Sequence, residues 1–331
     1  MNHKTFIRKT ILPFLLIVFS FSTYASSNQT PVEKYGQLRV EGTKIVGQNN
    51  KVVQLTGMSF FWSQWYGKYY NYQCVKWLKD DWKCSVVRAA MAVNHNGYAK
   101  YPAREQKKVE KVIDAAIKVG IYVIIDFHEH NAENFLSEAK TFFAEMAQKY
   151  GKYPNVIYEI YNEPLMVSWP NVIKPYCEEV ISVIRKYDPD NIIICGTSNW
   201  SQNVDEAALN PVSDKNSAYA LHFYSGTHKQ WLMDKGDIAI SKGLCLFVTE
   251  YGTTDANGDG PVYIEETYNW YKWMDKNSIS HCNWSISEKK ESSAILKKGA
   301  SSKGHWTNDQ IKPSGLLVKE ELKKKYSELM D

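Results

Sequence analysis

The feature that most constrains the fold is an alternation of short apolar segments with longer amphipathic segments along the 331-residue chain. Eight apolar segments have the length and the β-branched or aromatic content of strands: residues 52–57, 85–90, 121–127, 156–162, 191–197, 218–222, 245–250 and 280–284. Helical periodicity lies between them, at residues 104–119, 134–150, 170–187 and 263–276. Strands that are apolar throughout predict a parallel sheet with both faces covered.

Eight such repeats favour closure into a (β/α)8 TIM barrel over an open, doubly wound sheet. No glycine-rich phosphate loop follows the first strand, which weakens the dinucleotide-binding alternative. A hairpin of residues 38–40 with 43–46 precedes the first strand, and we expect it to close the bottom of the barrel. The 44% hydrophobic content is ample for one core. We therefore expect residues 26–331 to form a single α/β domain.

The first 25 residues have the pattern of a signal peptide. Three basic residues (Lys4, Arg8 and Lys9) precede an apolar run at 11–19, and Thr23 and Ala25 occupy the −3 and −1 positions of a cleavage site. The run is shorter than the roughly 20 residues that span a bilayer. We expect a secreted, extracellular, monomeric protein that has no membrane association after cleavage.

The net charge argues against nucleic acid as a partner. The chain carries a formal charge of +4, and removing the three basic residues of the leader leaves about +1. A polyanion would meet no concentrated positive field on such a protein.

Six cysteines suit an oxidising compartment: Cys74, Cys84, Cys177, Cys195, Cys245 and Cys282. They lack the C-x-x-C spacing of metal sites, and six cysteines allow about 15 connectivities. Cys74 and Cys84 are close enough in sequence for a local disulfide, which is the pairing we favour. Cys195 and Cys282 lie within predicted strands and are equally suited to be free thiols in the core.

Two glutamates close apolar strand-like runs and carry most of the functional signal. Glu163 follows the run from 155 and precedes a proline, and Glu250 follows the run from 244 and precedes a Tyr-Gly pair. Barrels of this type keep their active sites at the carboxyl ends of the strands. Either glutamate alone could be a solvated residue at a strand end. A pair of carboxyl groups at one mouth is the usual equipment for hydrolysing glycosidic bonds.

Other polar and aromatic side chains accumulate at the same predicted strand ends. They are Arg88, Asp126, His128, Asn162, Asn199, Trp200, His222, Tyr224 and Trp284. Each has an ordinary structural explanation, such as an ion pair for Arg88 or core packing for Trp284. Because seven of the eight strands end in such groups, we expect them to line one pocket.

Eight segments that lie in this order resemble glycoside hydrolase family 5, and within it the endo-β-1,4-glucanases of bacterial type. They are residues 55–62 (LTGMSFFW), 87–88 (VR), 125–128 (IDFH), 158–164 (YEIYNEP), 196–202 (GTSNWSQ), 222–224 (HFY), 248–252 (VTEYG) and 283–289 (NWSISEK). The Asn-Glu-Pro element marks the wider clan, whereas the segments with Trp200 and Lys289 point to the cellulase branch. Phe127 departs from the family, where a tryptophan is more usual.

The resemblance implies roles for the residues at the centre. Glu163 would be the general acid/base, with a raised pKa, and His222 would hold it by a hydrogen bond. Glu250 would be the nucleophile, kept ionised by Arg88 and the Tyr224 hydroxyl. A retaining mechanism would follow, with the carboxyl groups about 5–5.5 Å apart.

The resemblance also implies a set of sugar contacts. They are Asn162 at the 2-hydroxyl, His128 and Trp284 at the cleaved subsite, Trp65 at a distal non-reducing subsite, Trp200 on the leaving-group side, and Lys289 and Glu291 beyond the centre. The expected partners are β-1,4-glucan polysaccharide and cello-oligosaccharides, with no metal or organic cofactor. A β-mannanase, a xylanase and a non-catalytic glucan-binding protein remain as alternatives.

Overall fold

Eight parallel strands close into a barrel in the computed structural model of the chain, which describes residues 1, 2 and 29–331. The barrel strands are β3 (Thr56–Phe60), β4 (Val86–Ala92), β5 (Tyr122–His128), β6 (Val156–Glu159), β7 (Ile193–Cys195), β8 (Ser217–Tyr224), β9 (Leu246–Gly252) and β10 (Ser280–Ile286). They follow one another around the barrel, and β10 pairs with β3 to close it. The predicted (β/α)8 barrel is confirmed.

The helices lie around the barrel and in the loops at its ends. They are α1 (Pro31–Tyr35), α2 (Ser63–Tyr66), α3 (Tyr72–Asp80), α4 (Pro102–Val119), α5 (Leu136–Tyr150), α6 (Lys174–Ile184), α7 (Ser198–Ser201), α8 (Val204–Ala207), α9 (Gln230–Ser241), α10 (Ile264–Asn277) and α11 (Pro313–Met330). Among the described residues, none of these helices has the length and apolarity needed to cross a membrane. The predicted leader and its cleavage site lie outside the described residues, apart from the first two positions.

The predicted N-terminal hairpin is present as β1 (Arg39–Glu41) and β2 (Lys44–Val46), which pair antiparallel. Ile45 packs in an apolar cluster with Val86 and other residues from the amino ends of barrel strands. The first barrel strand begins later than the predicted 52–57, because the Val53 amide bonds to Ile45 of the hairpin at 2.9 Å. The segment before Thr56 therefore joins the hairpin and the barrel floor.

The predicted Cys74–Cys84 disulfide is wrong in this structure, where all six cysteines are buried and free. Cys74 lies in α3 and Cys84 precedes β4, and both pack as small apolar side chains in the main core. Burial raises the pKa of both thiols. Since thiolates are the reactive form, this burial disfavours exchange reactions.

Candidate active site

Strand alternation decides which side chains enter the barrel. On β5, Tyr122 and Ile124 belong to the apolar cluster within the barrel, whereas Val123 and Ile125 pack in the core that includes the surrounding helices. Because side chains alternate along a strand, Asp126 continues the inward set toward the carboxyl end. The same alternation turns Arg88 on β4 and His222 on β8 inward.

Arg88 is fully buried at the centre of the inward-facing set. Its Nε lies 2.7 Å from Oε2 of Glu159, its Nη1 lies 3.0 Å from Oε2 of Glu250, and its Nη2 lies 2.6 Å from Oδ1 of Asn162. Nη2 is also 3.0 Å from Asp126. Burial alone would lower the pKa of Arg88, but the surrounding carboxylates hold it well above its usual value. Arg88 therefore remains a cation.

Glu250 is held at both carboxylate oxygens. The hydroxyl of Tyr224 donates to Oε1 at 2.8 Å, and Nη1 of Arg88 donates to Oε2. Burial and the negative charge of Glu163 raise the pKa of Glu250, whereas His222, Arg88 and Tyr224 act in the opposite direction. The two donors fix the orientation of this carboxyl group.

Glu163 lies in the loop after β6, four residues beyond the last strand residue, and two imidazoles contact it. Nδ1 of His222 is 2.9 Å from its Oε1, and Nε2 of His130 is 3.1 Å from its Oε2. Burial favours the neutral acid, but the bonds from His130 and His222 lower the pKa of Glu163 to about 2. The raised pKa expected from the resemblance is therefore wrong for the unliganded protein.

The other side of the His222 ring joins a second buried carboxylate. Its Nε2 lies 2.8 Å from the hydroxyl of Thr249, which donates to Oε1 of Glu159 at 2.7 Å. Burial lowers the pKa of His222, but the carboxylates of Glu159 and Glu163 raise it to about 9. The imidazole is therefore protonated near neutral pH, with a hydrogen bond at each nitrogen.

The two glutamates face each other across a short gap. A carboxylate oxygen of Glu163, a carboxylate oxygen of Glu250 and a ring nitrogen of His222 lie within 4.8 Å of one another. Carboxylate and imidazole can together bind a metal ion, but a protonated His222 has no lone pair to offer. The arrangement is thus better suited to act on a substrate bond placed between the carboxyl groups.

Two cavities adjoin at the pair of glutamates. The cavity on one side has a volume of about 420 Å³ and is lined by Trp200 and other residues. The cavity on the opposite side has a volume of about 180 Å³, and Trp284 is among its lining residues. Both are lined by Glu163 and Glu250. A third cavity, of about 630 Å³, continues past Trp65 and shares lining residues with the second. Together they form a groove with the carboxyl groups in its middle.

The sequence profile of the cellulase family, glycosyl hydrolase family 5, matches residues 46–290. The chain belongs to glycoside hydrolase family 5. Endoglucanase Z of Dickeya dadantii is 54% identical over 258 residues, covering 77% of this chain and 60% of that protein. An endoglucanase of Clostridium saccharobutylicum is 44% identical over 326 residues, covering 96% of this chain and 73% of that one.

Solved structures of family 5 enzymes superpose closely on the chain. The catalytic domain of Thermobifida fusca endoglucanase Cel5A, solved as a variant with cellotetraose, has a TM-score of 0.85 and 36% sequence identity. The match covers 89% of this chain and 99% of that domain. The cellotetraose complex shows that this relative binds a β-glucan oligosaccharide.

In this family 5 enzyme, the predicted contacts of the cleaved subsite lie together. The ring of Trp284 stacks on His128 with centroids 5.1 Å apart and planes 8° apart. Nδ1 of His128 is 2.7 Å from Asp126, and burial and Arg88 lower its pKa, so the imidazole is neutral. Nδ2 of Asn162 is buried without a partner among the described residues.

The outlying predicted contacts lie along the groove. Trp65 is 56% exposed and packs against Trp62, with ring centroids 5.3 Å apart. Trp200 is 41% exposed and has φ of 55° in the turn α7, a left-handed conformation that strains a bulky residue. Nζ of Lys289 lies 2.5 Å from Oε2 of Glu291. These positions place aromatic faces at both ends of the groove.

Several residues of the site escaped the sequence analysis. Glu159 is the last residue of β6, four positions before Glu163, and Thr249 on β9 directly precedes Glu250. Both complete the hydrogen-bond network. His130 contacts Glu163, and Nδ1 of His228 accepts from the Tyr224 amide at 2.8 Å. His130 follows His128 by two residues, a spacing that continues the inward face past the strand end and could have identified it.

Proposed function

We propose that this family 5 enzyme is a secreted endo-β-1,4-glucanase that cleaves internal bonds of cellulose and related glucans with retention of configuration. The observation that carries the proposal is the groove, which continues on both sides of Glu163 and Glu250. A groove with the reacting groups in its middle suits a polymer that is cut away from its ends.

The first chemical step would form an ester on Glu250. Its carboxylate attacks the anomeric carbon as the glycosidic bond breaks, and Glu163 gives a proton to the departing oxygen. In the second step Glu163 takes a proton from water, the water oxygen bonds to the anomeric carbon, and the ester bond breaks. Carboxylate oxygens within 4.8 Å of each other support this two-step scheme, since inverting enzymes need about 6.5–9.5 Å between carboxyl groups.

Arg88 and Tyr224 would aim the nucleophile and stabilise its ionised form through the two contacts described above. Asn162 would add a hydrogen bond to the sugar 2-hydroxyl, an interaction that strengthens in the transition state. This role is supported by the 2.6 Å bond that the Asn162 side-chain oxygen accepts from Arg88, while Nδ2 has no partner among the described residues.

The preference for glucan is supported by the aromatic lining and by the relatives. Sugar rings present apolar C–H faces, and Trp65, Trp200 and Trp284 provide flat apolar surfaces along the groove. Relatives named endoglucanases cover most of the chain, and one was solved with cellotetraose. Secretion is supported by the leader, and amino-terminal sequencing of the mature protein should begin at Ser26.

The proposal is tested by assaying carboxymethylcellulose, glucomannan and xylan in parallel. We expect the highest kcat/KM on the β-glucan, with viscosity falling early relative to the release of reducing ends. A preference for glucomannan or xylan would instead identify a mannanase or xylanase. Binding without hydrolysis of any substrate would identify a non-catalytic glucan-binding protein.

A further inference from the structure

His130 contacts the catalytic carboxyl group opposite to His222. Its Nε2 lies 3.1 Å from Oε2 of Glu163, while His222 occupies Oε1. The two imidazoles differ in exposure, since the side chain of His130 is 37% exposed and that of His222 is 2% exposed. His130 also lines both cavities that adjoin at the glutamates. The Oε2 atom of Glu163 is thus the oxygen on the groove side.

The backbone of His130 is fixed by two hydrogen bonds. Its amide donates to Oε1 of the buried Glu129 at 3.0 Å, and its carbonyl accepts from the Tyr161 hydroxyl at 3.0 Å. Oε2 of Glu129 accepts in turn from the Asn94 amide at 3.1 Å. These bonds tie the loop after β5 to the neighbouring loop after β4. The position of His130 is therefore determined by the scaffold.

The imidazole of His130 is also held by an aromatic contact. The indole of Trp62 meets it edge to face, with centroids 5.7 Å apart and planes 84° apart. The same indole meets His128 at 4.3 Å and 88°. Edge-to-face packing has a defined geometry, so Trp62 supports the ring of His130.

Charged groups around His130 favour its protonated form. Burial lowers the pKa of His130, but the hydrogen bond and charge of Glu163, together with Glu129 and Glu250, raise it overall. With a proton on Nε2, His130 is a donor to Glu163, and the resulting bond is charge-assisted.

We propose that His130 is a positioning residue that holds Oε2 of Glu163, and with it the plane of the carboxyl group, in the orientation that Glu163 needs to protonate the departing sugar oxygen. This inference rests on the acid/base function proposed for Glu163. His222 alone would fix one oxygen and leave the carboxyl plane free to rotate about that contact. A second donor on the groove side removes this freedom, and geometric precision of this kind contributes directly to proton transfer.

The test compares His130→Ala and His130→Gln on two substrates. One is cellotetraose, whose leaving sugar needs a proton, and the other is a dinitrophenyl cellobioside, whose leaving group departs without one. On cellotetraose we expect His130→Ala to lower kcat about 10- to 100-fold, the range of one hydrogen bond to a charged group, with little change in KM. The loss in kcat/KM should be much smaller on the activated substrate, because kcat/KM reports the formation of the ester, which needs no proton there. His130→Gln keeps an N–H donor and should recover part of kcat.

Equal losses on both substrates, or a full loss in His130→Gln, would overturn the positioning function. Melting temperatures of the variants identify a loss that comes from unfolding, and such a result also counts against the inference. Glu163→Gln is measured alongside as the reference for missing proton donation. If that variant shows no dependence on the leaving group, the proposed function itself fails. If it does and His130→Ala does not, only the inference about His130 fails.

Discussion

His222 and Glu163 share a 2.9 Å hydrogen bond that joins a strongly basic imidazole to a strongly acidic carboxyl group. The pKa of His222 is raised to about 9 and that of Glu163 is lowered to about 2, so the proton rests on His222 in the unliganded protein. Transfer of this proton along the bond would place it on Oε1 and make Glu163 the acid of the proposed mechanism. The transfer would remove the negative charge of Glu163, which raises the pKa of Glu250, together with the positive charge of His222, which lowers it.

The first prediction concerns the alkaline limit of activity. The proton shared by His222 and Glu163 is lost as pH rises through about 9, so kcat/KM should fall there. Thr249→Val removes the hydroxyl that links His222 to Glu159, which lowers the imidazole pKa and should move the alkaline limb to lower pH. Thr249→Ser keeps the hydroxyl and is the matched control. If the alkaline limb of the valine variant is unchanged, the limb does not come from the proton shared by His222 and Glu163.

The second prediction concerns the two carboxyl groups. Glu250→Gln and Glu163→Gln should fold normally and lose nearly all hydrolysis of unactivated glucan, since each replaces a reacting carboxyl by an amide of the same shape. Added azide should restore turnover of an activated substrate by Glu163→Gln, because azide attacks the ester without needing a base. Groups of this kind typically contribute about 10²–10⁴-fold to the rate. If a variant keeps more than about a tenth of wild-type kcat, the function assigned to the replaced glutamate is ruled out.

The third prediction concerns stereochemistry. Proton NMR of freshly cleaved cello-oligosaccharide should show the β-anomer before mutarotation, because two displacements at one carbon restore its configuration. The short gap between Glu163 and Glu250 leaves little room for the water that an inverting enzyme places between substrate and base. Early appearance of the α-anomer would mean that the two glutamates are wrongly paired.

The fourth prediction concerns stability. Arg88→Met removes a buried cation that contacts Asp126, Glu159 and Glu250, and should lower the free energy of unfolding by about 3–5 kcal/mol. The uncompensated carboxyl groups then have raised pKa values in the folded state. Such groups bind protons more tightly when folded, so the stability loss should increase as pH rises.

Urea unfolding of Arg88→Met at mildly acidic and alkaline pH measures this effect. Lys140→Met is the control, because Lys140 forms an exposed pair with Glu179. Exposed ion pairs contribute about 0–1 kcal/mol to the free energy of unfolding, so the control should unfold at nearly the same urea concentration as the wild type. Comparable losses in both variants would show that the carboxylate cluster does not depend on Arg88.

Strand periodicity predicts much of the fold and the centre of the site. The alternation that places Tyr122 and Ile124 inside the barrel also places Asp126 there. All three residues lie within one short strand, so their orientation can be predicted from local sequence. The start of the first strand was less predictable, because the residues before Thr56 bond to the hairpin, a contact between separate segments. Apolar character alone does not distinguish a strand from a segment that crosses the barrel floor.

The hydrogen-bond network could not be predicted in the same way. The pairing of β8 with β9 changes register between Ala220 and His222. This irregularity lets the consecutive residues Thr249 and Glu250 both reach the site. A strict period of two would send one of them outward. The low pKa of Glu163 likewise depends on two imidazoles from separate segments, His222 on β8 and His130 in the loop after β5, and only their spatial arrangement reveals it.

The last prediction concerns the aromatic residues of the groove. Trp284 is almost fully buried against His128, so Trp284→Ala should reduce turnover on every substrate by removing the surface beneath the reacting ring. Trp65 is exposed and distant from the two glutamates. Trp65→Ala should lower kcat/KM for long cello-oligosaccharides far more than for short ones. Binding energy from remote sugars is used to distort the central one, so its loss can lower kcat as well as raise KM.

The measurement is kcat/KM against chain length for both variants. A stacked ring should contribute about 1–3 kcal/mol, on the scale of base–aromatic stacking, which corresponds to roughly 5- to 150-fold in kcat/KM. The 56% exposure of Trp65 means that its removal should leave the melting temperature nearly unchanged. Equal losses at all chain lengths, or a large drop in melting temperature, would show that Trp65 supports the fold of the loop and does not bind a sugar.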